Sequence, residues 1–230
     1  MRAGPVLLTL VLAQLLLSGC AGGAPRSDPF DRVKLAAMAD PGAVVAADIA
    51  QNRQAQDIGV AAALMQSAAP DAIVLVPRPV PARTWLADAP AFPPTSWQPH
   101  EVHVSCDGSL AVTSGAIAWG GVPGFYTTIW QRQGNGRGDT GWRWVLSHGD
   151  GVERARTQPD LIRSTVARCA EPEGKAFAAA VGGQSGGGTS ADDTLAYRWQ
   201  VDAGGARRLV VRSWTTDGWS SVLDDSVSAP

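Results

Sequence analysis

Asp107-Gly108 stands between two runs of alternating apolar and polar residues in SWQPHEVHVSCDGSLAVTSGAIAW, residues 96–119. Such a dipeptide takes up the positive backbone angles of a tight hairpin turn, so the flanking runs predict two antiparallel strands. A second pair follows. GFYTTIWQRQ (124–133) and GWRWVLSHGD (141–150) face each other across the glycine-rich GNGRGDTG. A period of two puts Tyr126, Thr128 and Trp130 on one face and Phe125, Thr127 and Ile129 on the other. The same period groups Trp142, Trp144, Leu146 and His148. Both faces carry bulky residues, which predicts a sheet covered on one side and half-covered on the other.

What precedes the sheet reads as helical. Asp40 is an N-cap with Pro41 at the first helical position, and Val44, Ala47, Ile49 and Ala50 cover one side. Gly59 marks a break. A second helix runs from Val60 to Ser67 and Pro70 ends it. The strand IVLVP follows, then a proline-rich stretch in which ARTWLAD (82–88) forms a turn or two of helix. Asp48 and Asp57, in the polar run ADIAQNRQAQD, read as solvent-facing positions. After the sheet, PDLIRSTVARCAEP reads as a short helix carrying Cys169, within a helical extension over 153–181. GGQSGGGTS (182–190) reads as a flexible linker. The tail, 191–230, holds three short strands turning at DAGG and TDG. A lone three-stranded meander is marginal by itself. It must dock on the main domain, pair with another chain, or be weakly ordered.

The chain opens MRAGPVLLTLVLAQLLLSGCAGG. One arginine, the apolar run Val6 to Leu17 and a small-residue end describe a secretory signal, and the run is too short for a bilayer span. LSGC resembles the bacterial lipobox, in which cleavage before Cys20 is followed by lipidation of that cysteine. The resemblance implies a signal peptide over 1–19, a tether over 20–39 and a cell-envelope protein. By the same resemblance to bacterial lipoproteins, Ala21 rather than Asp after the cysteine implies the outer membrane, facing the periplasm. An exported setting makes a disulfide between Cys106 and Cys169 the natural reading, with two buried thiols as the alternative. A formal net charge of −2 and no basic cluster leave nucleic-acid binding without an electrostatic footprint. The cysteines have no metal-ligand spacing, and no cofactor motif is present. Nine tryptophans suggest a core or cavity built of large rings.

AAPDAIVLVP, TWLAD, DGSLAVTSGAIAW, YTTIWQRQ and GWRWVLSHGD, in that order, resemble the nuclear-transport-factor-2-like superfamily and more closely its SnoaL-like branch. The resemblance covers residues 40–152. It implies an α+β fold in which a curved antiparallel sheet wraps on N-terminal helices into a cone with a cavity. That cone hosts isomerases, cyclases, binding modules and oligomerisation domains, so function rests on the cavity residues. Tyr126, Thr128, Trp130, Trp144 and His148 are the candidates to line it. His148 is the one candidate acid–base group, as a base with a tyrosine hydroxyl partner. The alternative is that it closes the strand while Asp150 starts a turn. His100 and His103 are placed at a rim. The expectation is a lipid-anchored protein whose cone binds a small, partly apolar ligand or a partner chain. Its rivals are a SnoaL-like isomerase, cyclase or hydrolase using His148, and a homodimer formed through an open sheet face.

Overall fold

The computed structural model describes residues 39–133, 141–179 and 182–230. The expected signal peptide and tether with Cys20, and residues 134–140 and 180–181, lie outside the described residues.

Helix α1 (Pro41–Ile58) begins where the Asp40 carboxylate accepts the Ala43 amide at 3.1 Å. It ends at Gly59, whose φ of 88° an L side chain resists. The buried stripe is Val44, Asp48, Gln51 and Ala55, not the expected stripe through Ile49 and Ala50. This spacing of four, three and four follows the helical repeat. Helix α2 (Val60–Ser67), strand β1 (Ala68–Leu75), the short β2 (Pro79–Pro81) and helix α3 (Ala82–Asp88) complete the N-terminal part.

The hairpin series then builds β3 (Thr95–Val104), β4 (Leu110–Trp119), β5 (Val122–Arg132) and β6 (Trp142–Gly151). With β7 (Arg163–Val166) they form a seven-stranded sheet ordered β2-β1-β6-β5-β4-β3-β7. One face packs on the helices through a cluster containing Val44, Leu86, Val102, Trp130 and Trp144. This is the expected α+β arrangement of a sheet laid on helices, but the sheet is mixed where an antiparallel one was expected: β1 pairs parallel with β6, and β7 with β3.

Two expectations for the rest of the chain fail for identifiable reasons, and a third is decided among its alternatives. First, the segment around Cys169 is not helical: Arg163–Val166 pairs parallel with β3, from Glu101↔Arg163 to Val104↔Val166. Strand β3 offers an edge there, and β-branched Thr165 and Val166 suit it. Just beyond, Cys169 is bonded to Cys106 with Cα atoms 5.1 Å apart, inside the reach of a disulfide. Second, the glycine-rich run is no linker but strand β8 (Gln184–Thr189). It joins β9 (Leu195–Val201), β10 (Arg207–Thr215) and β11 (Gly218–Val227) in a four-stranded sheet ordered β11-β10-β9-β8. Its glycines make room rather than slack: a Cβ on Gly186 would come within 2.6 Å of the Trp199 ring, and one on Gly188 within 3.0 Å of Tyr197. Third, of the three fates left open for the tail, it docks on the main domain, and the second face of the main sheet is covered more fully than expected. The C-terminal sheet covers it, and Leu75, Leu110, Ile129 and Leu146 pack with Leu195, Leu209, Val211 and Leu223 in one apolar cluster. The face that the homodimer rival would use is thus occupied within the chain.

Candidate functional site

The helix-facing side of the sheet carries the candidate site. In antiparallel pairs, residues directly opposite share a face. Thr113 lies opposite Thr128, Gly115 opposite Tyr126, and Trp97 opposite Ile117. The two cross-strand neighbours of Tyr126 are both glycines, Gly115 on β4 and Gly149 on β6. Without side chains beside it, the tyrosine ring can lie along the sheet and reach α1.

What it reaches is Asp48, which has no exposed surface. The Trp97 indole N–H donates to Asp48 Oδ1 at 2.9 Å, and the Thr113 hydroxyl donates to Oδ2 at 2.5 Å. The Tyr126 hydroxyl donates to both oxygens, at 3.1 and 3.2 Å. Behind them, Trp130 Nε1 donates to Thr113 Oγ1 at 2.9 Å, which orients that hydroxyl toward the acid. Burial raises Asp48 to about 6, against the lowering by its bonds from Thr113, Tyr126 and Trp97. Burial and the neighbouring carboxylate hold the Tyr126 phenol well above its ordinary value, so the proton between them belongs to the tyrosine. Asp48 is thus no solvent-facing helix position. Its four-residue spacing from Val44 carried the signal, and the polar neighbours hid it.

Above this network lies a cavity of about 130 Å³, lined by Leu64, Trp85, Phe92, Trp97, Trp119, Tyr126 and Thr128 among others. Trp85 and Phe92 meet edge to face with centroids 5.5 Å apart, and Trp97 and Tyr126 do so at 6.5 Å. Asp48 is not among the lining residues; Trp97 and Tyr126 separate it from the space. The phenol, its hydrogen committed to Asp48, offers the cavity an acceptor oxygen.

The expected site residues divide. Tyr126 and Thr128 line the cavity. Trp130 and Trp144 do not: they are 1 % and 0 % exposed core residues, and Trp144 Nε1 donates to the Leu64 carbonyl at 2.9 Å. His148 borders the cavity along β6, but its ring belongs to the opposite face. The cause is a bulge. Trp130 pairs with Trp144 but Ile129 pairs with Leu146, leaving Val145 as an extra residue. One inserted residue turns all later side chains over. Trp142 and Trp144 therefore stay on the helix side, whereas Leu146 and His148 face the C-terminal sheet. There the ring of His148 meets Phe125 edge to face at 5.6 Å, and its cross-strand partner Thr127 donates to Asp225 Oδ2 on β11 at 2.6 Å.

His148 is 2 % exposed and neither ring nitrogen has a hydrogen-bond partner among the described residues. Burial lowers it to about 4; the Arg207 cation lowers it further and Asp150 opposes. Asp150 starts no turn. It lies within β6 and accepts from Arg207 of β10 at 2.5 Å. His103 is equally far from a rim role: it is 7 % exposed and bonded through Nδ1 to Thr165 Oγ1 of β7 at 2.6 Å. His100 is 7 % exposed and borders an open cleft with Glu101, Arg156 and Asp225. No group of three or more His, Cys, Asp or Glu suited to a metal ion occurs among the described residues.

No protein-family model matches this sequence, and no curated protein matches it. Among solved structures, the chain is similar to a candidate ketosteroid isomerase from Parabacteroides distasonis, at 15% identity over 51% of this chain and 97% of that one, with a TM-score of 0.39. A second candidate ketosteroid isomerase, from Shewanella frigidimarina, is 15% identical over 47% of this chain and 98% of its own, with a TM-score of 0.36. A nuclear-transport-factor-2-like protein of unknown function from Pseudomonas putida is 15% identical over 50% of this chain and 88% of its own, with a TM-score of 0.31.

Proposed function

We propose that this chain is a lipid-anchored protein of the bacterial cell envelope, held by Cys20 at the outer membrane, whose nuclear-transport-factor-2-like cone binds a small, partly apolar ligand. One observation carries the binding reading. The aromatic cavity ends on Tyr126, and the acid beneath it is sealed from the space with every donor around it engaged. At about 130 Å³ the cavity suits a ligand of one ring, since a dry cavity of about 150 Å³ holds benzene. An O–H or N–H on that ring would donate to the Tyr126 oxygen.

Trp85, Trp97 and Trp119 line the cavity, so their fluorescence reports its filling. Benzyl alcohol and toluene are the probes. Both should quench, the alcohol more tightly. Tyr126→Phe should weaken benzyl alcohol about five- to tenfold, the loss of about 1 kcal/mol for one hydrogen bond, and leave toluene unchanged. If neither compound perturbs the fluorescence at millimolar concentration, the binding reading is wrong.

A catalytic reading has one observation in its favour: a carboxyl at about 6 next to a cavity tyrosine suits proton transfer. Its acid would be Asp48 and not His148, whose ring faces away from the cone. Turnover of any substrate by the wild type that Asp48→Asn abolishes would establish it.

A further inference from the structure

The two sheets repeat one another. The β3–β4 turn reads Ser105-Cys106-Asp107-Gly108-Ser109-Leu110-Ala111, and the β8–β9 turn reads Ser190-Ala191-Asp192-Asp193-Thr194-Leu195-Ala196. In both, the serine hydroxyl donates to the aspartate, at 2.7 and 2.6 Å, and accepts the leucine amide, at 3.1 and 3.0 Å. In both, the fourth residue has a positive φ, 66° for Gly108 and 57° for Asp193, and its amide donates to the serine carbonyl at 3.1 Å. Asp193 is the one non-glycine with positive φ among the described residues, held there by the same turn.

The match does not stop at the turn. The strand orders β6-β5-β4-β3 and β11-β10-β9-β8 correspond. Each repeat carries a bulge at the same place: Val145 is extra beside Ile129, and Val222 is extra beside Val211. A common turn could arise twice by chance; a bulge at the equivalent position of a different strand pair is an independent coincidence.

The two copies also touch reciprocally. The Cys106 amide donates to Thr194 Oγ1 at 2.9 Å, and the Ala191 amide donates to Ser109 Oγ at 2.9 Å. Cys106 corresponds to Ala191 and Ser109 to Thr194, so these are one contact made twice, with the roles exchanged. Reciprocity of this kind defines a two-fold interface between identical chains. Corresponding leucines, Leu110 with Leu195 and Leu146 with Leu223, fill the shared core.

We infer that the C-terminal sheet is a built-in partner: a helix-free second copy of β3–β6 that occupies, in two-fold geometry, the sheet face on which another copy of this chain would dock. The chain completes within itself the pairing that a homodimer makes between chains. It is a monomer, and displacing the inner copy opens the face to a second molecule.

The test uses the full chain, with Cys20→Ala for handling in solution. Sedimentation velocity should show a monomer up to about 100 µM, and a wild-type dimer at lower concentration overturns the inference. Ser109→Ala with Thr194→Ala deletes both reciprocal bonds, and Leu209→Glu places a charge in the shared core. Each should speed amide exchange over 184–227, keep β3–β6 protected, and bring a dimer into the micromolar range. A variant with the C-terminal sheet released and β3–β6 protected that stays monomeric overturns it. Should Leu209→Glu unfold the whole chain, the double-alanine variant decides alone, and unchanged exchange over 184–227 in that variant also overturns it.

Discussion

Asp48, on α1 against one face of the main sheet, and His148, on the other face of that sheet, act on stability in opposite directions as they titrate. The Asp48 carboxyl is raised from 3.8 to about 6, so below pH 3.8 folded and unfolded chains both hold the proton. As pH rises toward 6 the unfolded chain releases it first, and stability falls. The His148 imidazole is lowered from 6.5 to about 4, so above pH 6.5 both states are neutral. As pH falls toward 4 the unfolded chain takes up a proton that the buried ring refuses, and stability again falls. Each of these displacements corresponds to about 3 kcal/mol across its window. Between about pH 4 and 6 the two slopes oppose and largely cancel.

Single substitutions should therefore uncover a slope that the wild type conceals. The assay is urea unfolding followed by tryptophan fluorescence at pH 7.5, 6, 5 and 4, with the disulfide intact. Relative to wild type, His148→Gln should gain about 3 kcal/mol as pH falls from 6.5 to 4. Asp48→Asn should gain a similar amount as pH rises from 3.8 to 6. Each substitution also has a constant cost. The amide introduced by Asp48→Asn turns an N–H toward groups that themselves donate, and the glutamine of His148→Gln must fit beside Phe125. Only the pH-dependent difference is diagnostic, and taking it against wild type cancels the other titrating groups. A difference for His148→Gln that stays within about 0.5 kcal/mol from pH 7.5 to 4 would refute the buried, neutral imidazole and the face assigned to it.

Two further outcomes are expected. Cys106→Ser with Cys169→Ser opens a loop spanning 63 positions, which on the chain-entropy relation lowers stability by about 4 kcal/mol, read from the urea midpoint at pH 7.5. Cys20→Ala should move the protein from the membrane to the soluble fraction of cells; a variant that stays at wild-type level in the membrane removes the lipid anchor from the proposal.

Much of the main sheet was legible because its signals are local. Alternation, Asp107-Gly108 and the Asp40-Pro41 cap each act within a few residues. What escaped depends on partners distant in sequence. The bulge at Val145 exists only against β5, yet it decides which way His148 points. Asp48 sits in polar company along the helix, and its true neighbours, Trp97, Thr113 and Tyr126, arrive from 49 to 78 residues away. The glycines of 186–188 read as slack because composition does not record that the rings of Trp199 and Tyr197 lie over two of them.

The repeat also explains why helices cover only one of the two sheets. Through the matching turns and strand registers, Thr113 of the first copy corresponds to Arg198 of the second, and Trp130 to Arg212. In the first copy these positions bind a helix: Trp130 bonds Thr113, and Thr113 bonds Asp48 of α1. The second copy has no helices to lay on that face. Its two arginines instead hold an extended segment, donating to the carbonyls of Ala178 and Ala176 and stacking on the ring of Phe177. That segment follows Cys169, whose disulfide fastens its start to Cys106 in the β3–β4 turn. Arginine suits this task as tryptophan could not, because its fork can donate to a backbone carbonyl while its plane lies on an aromatic ring. Where the first copy lays helices over a cavity of about 130 Å³, the second carries a strap of backbone, and strap and sheet together line a cleft of about 680 Å³ that includes Phe177, Arg198 and Trp219. The position that anchors the buried acid in one copy anchors the cover in the other.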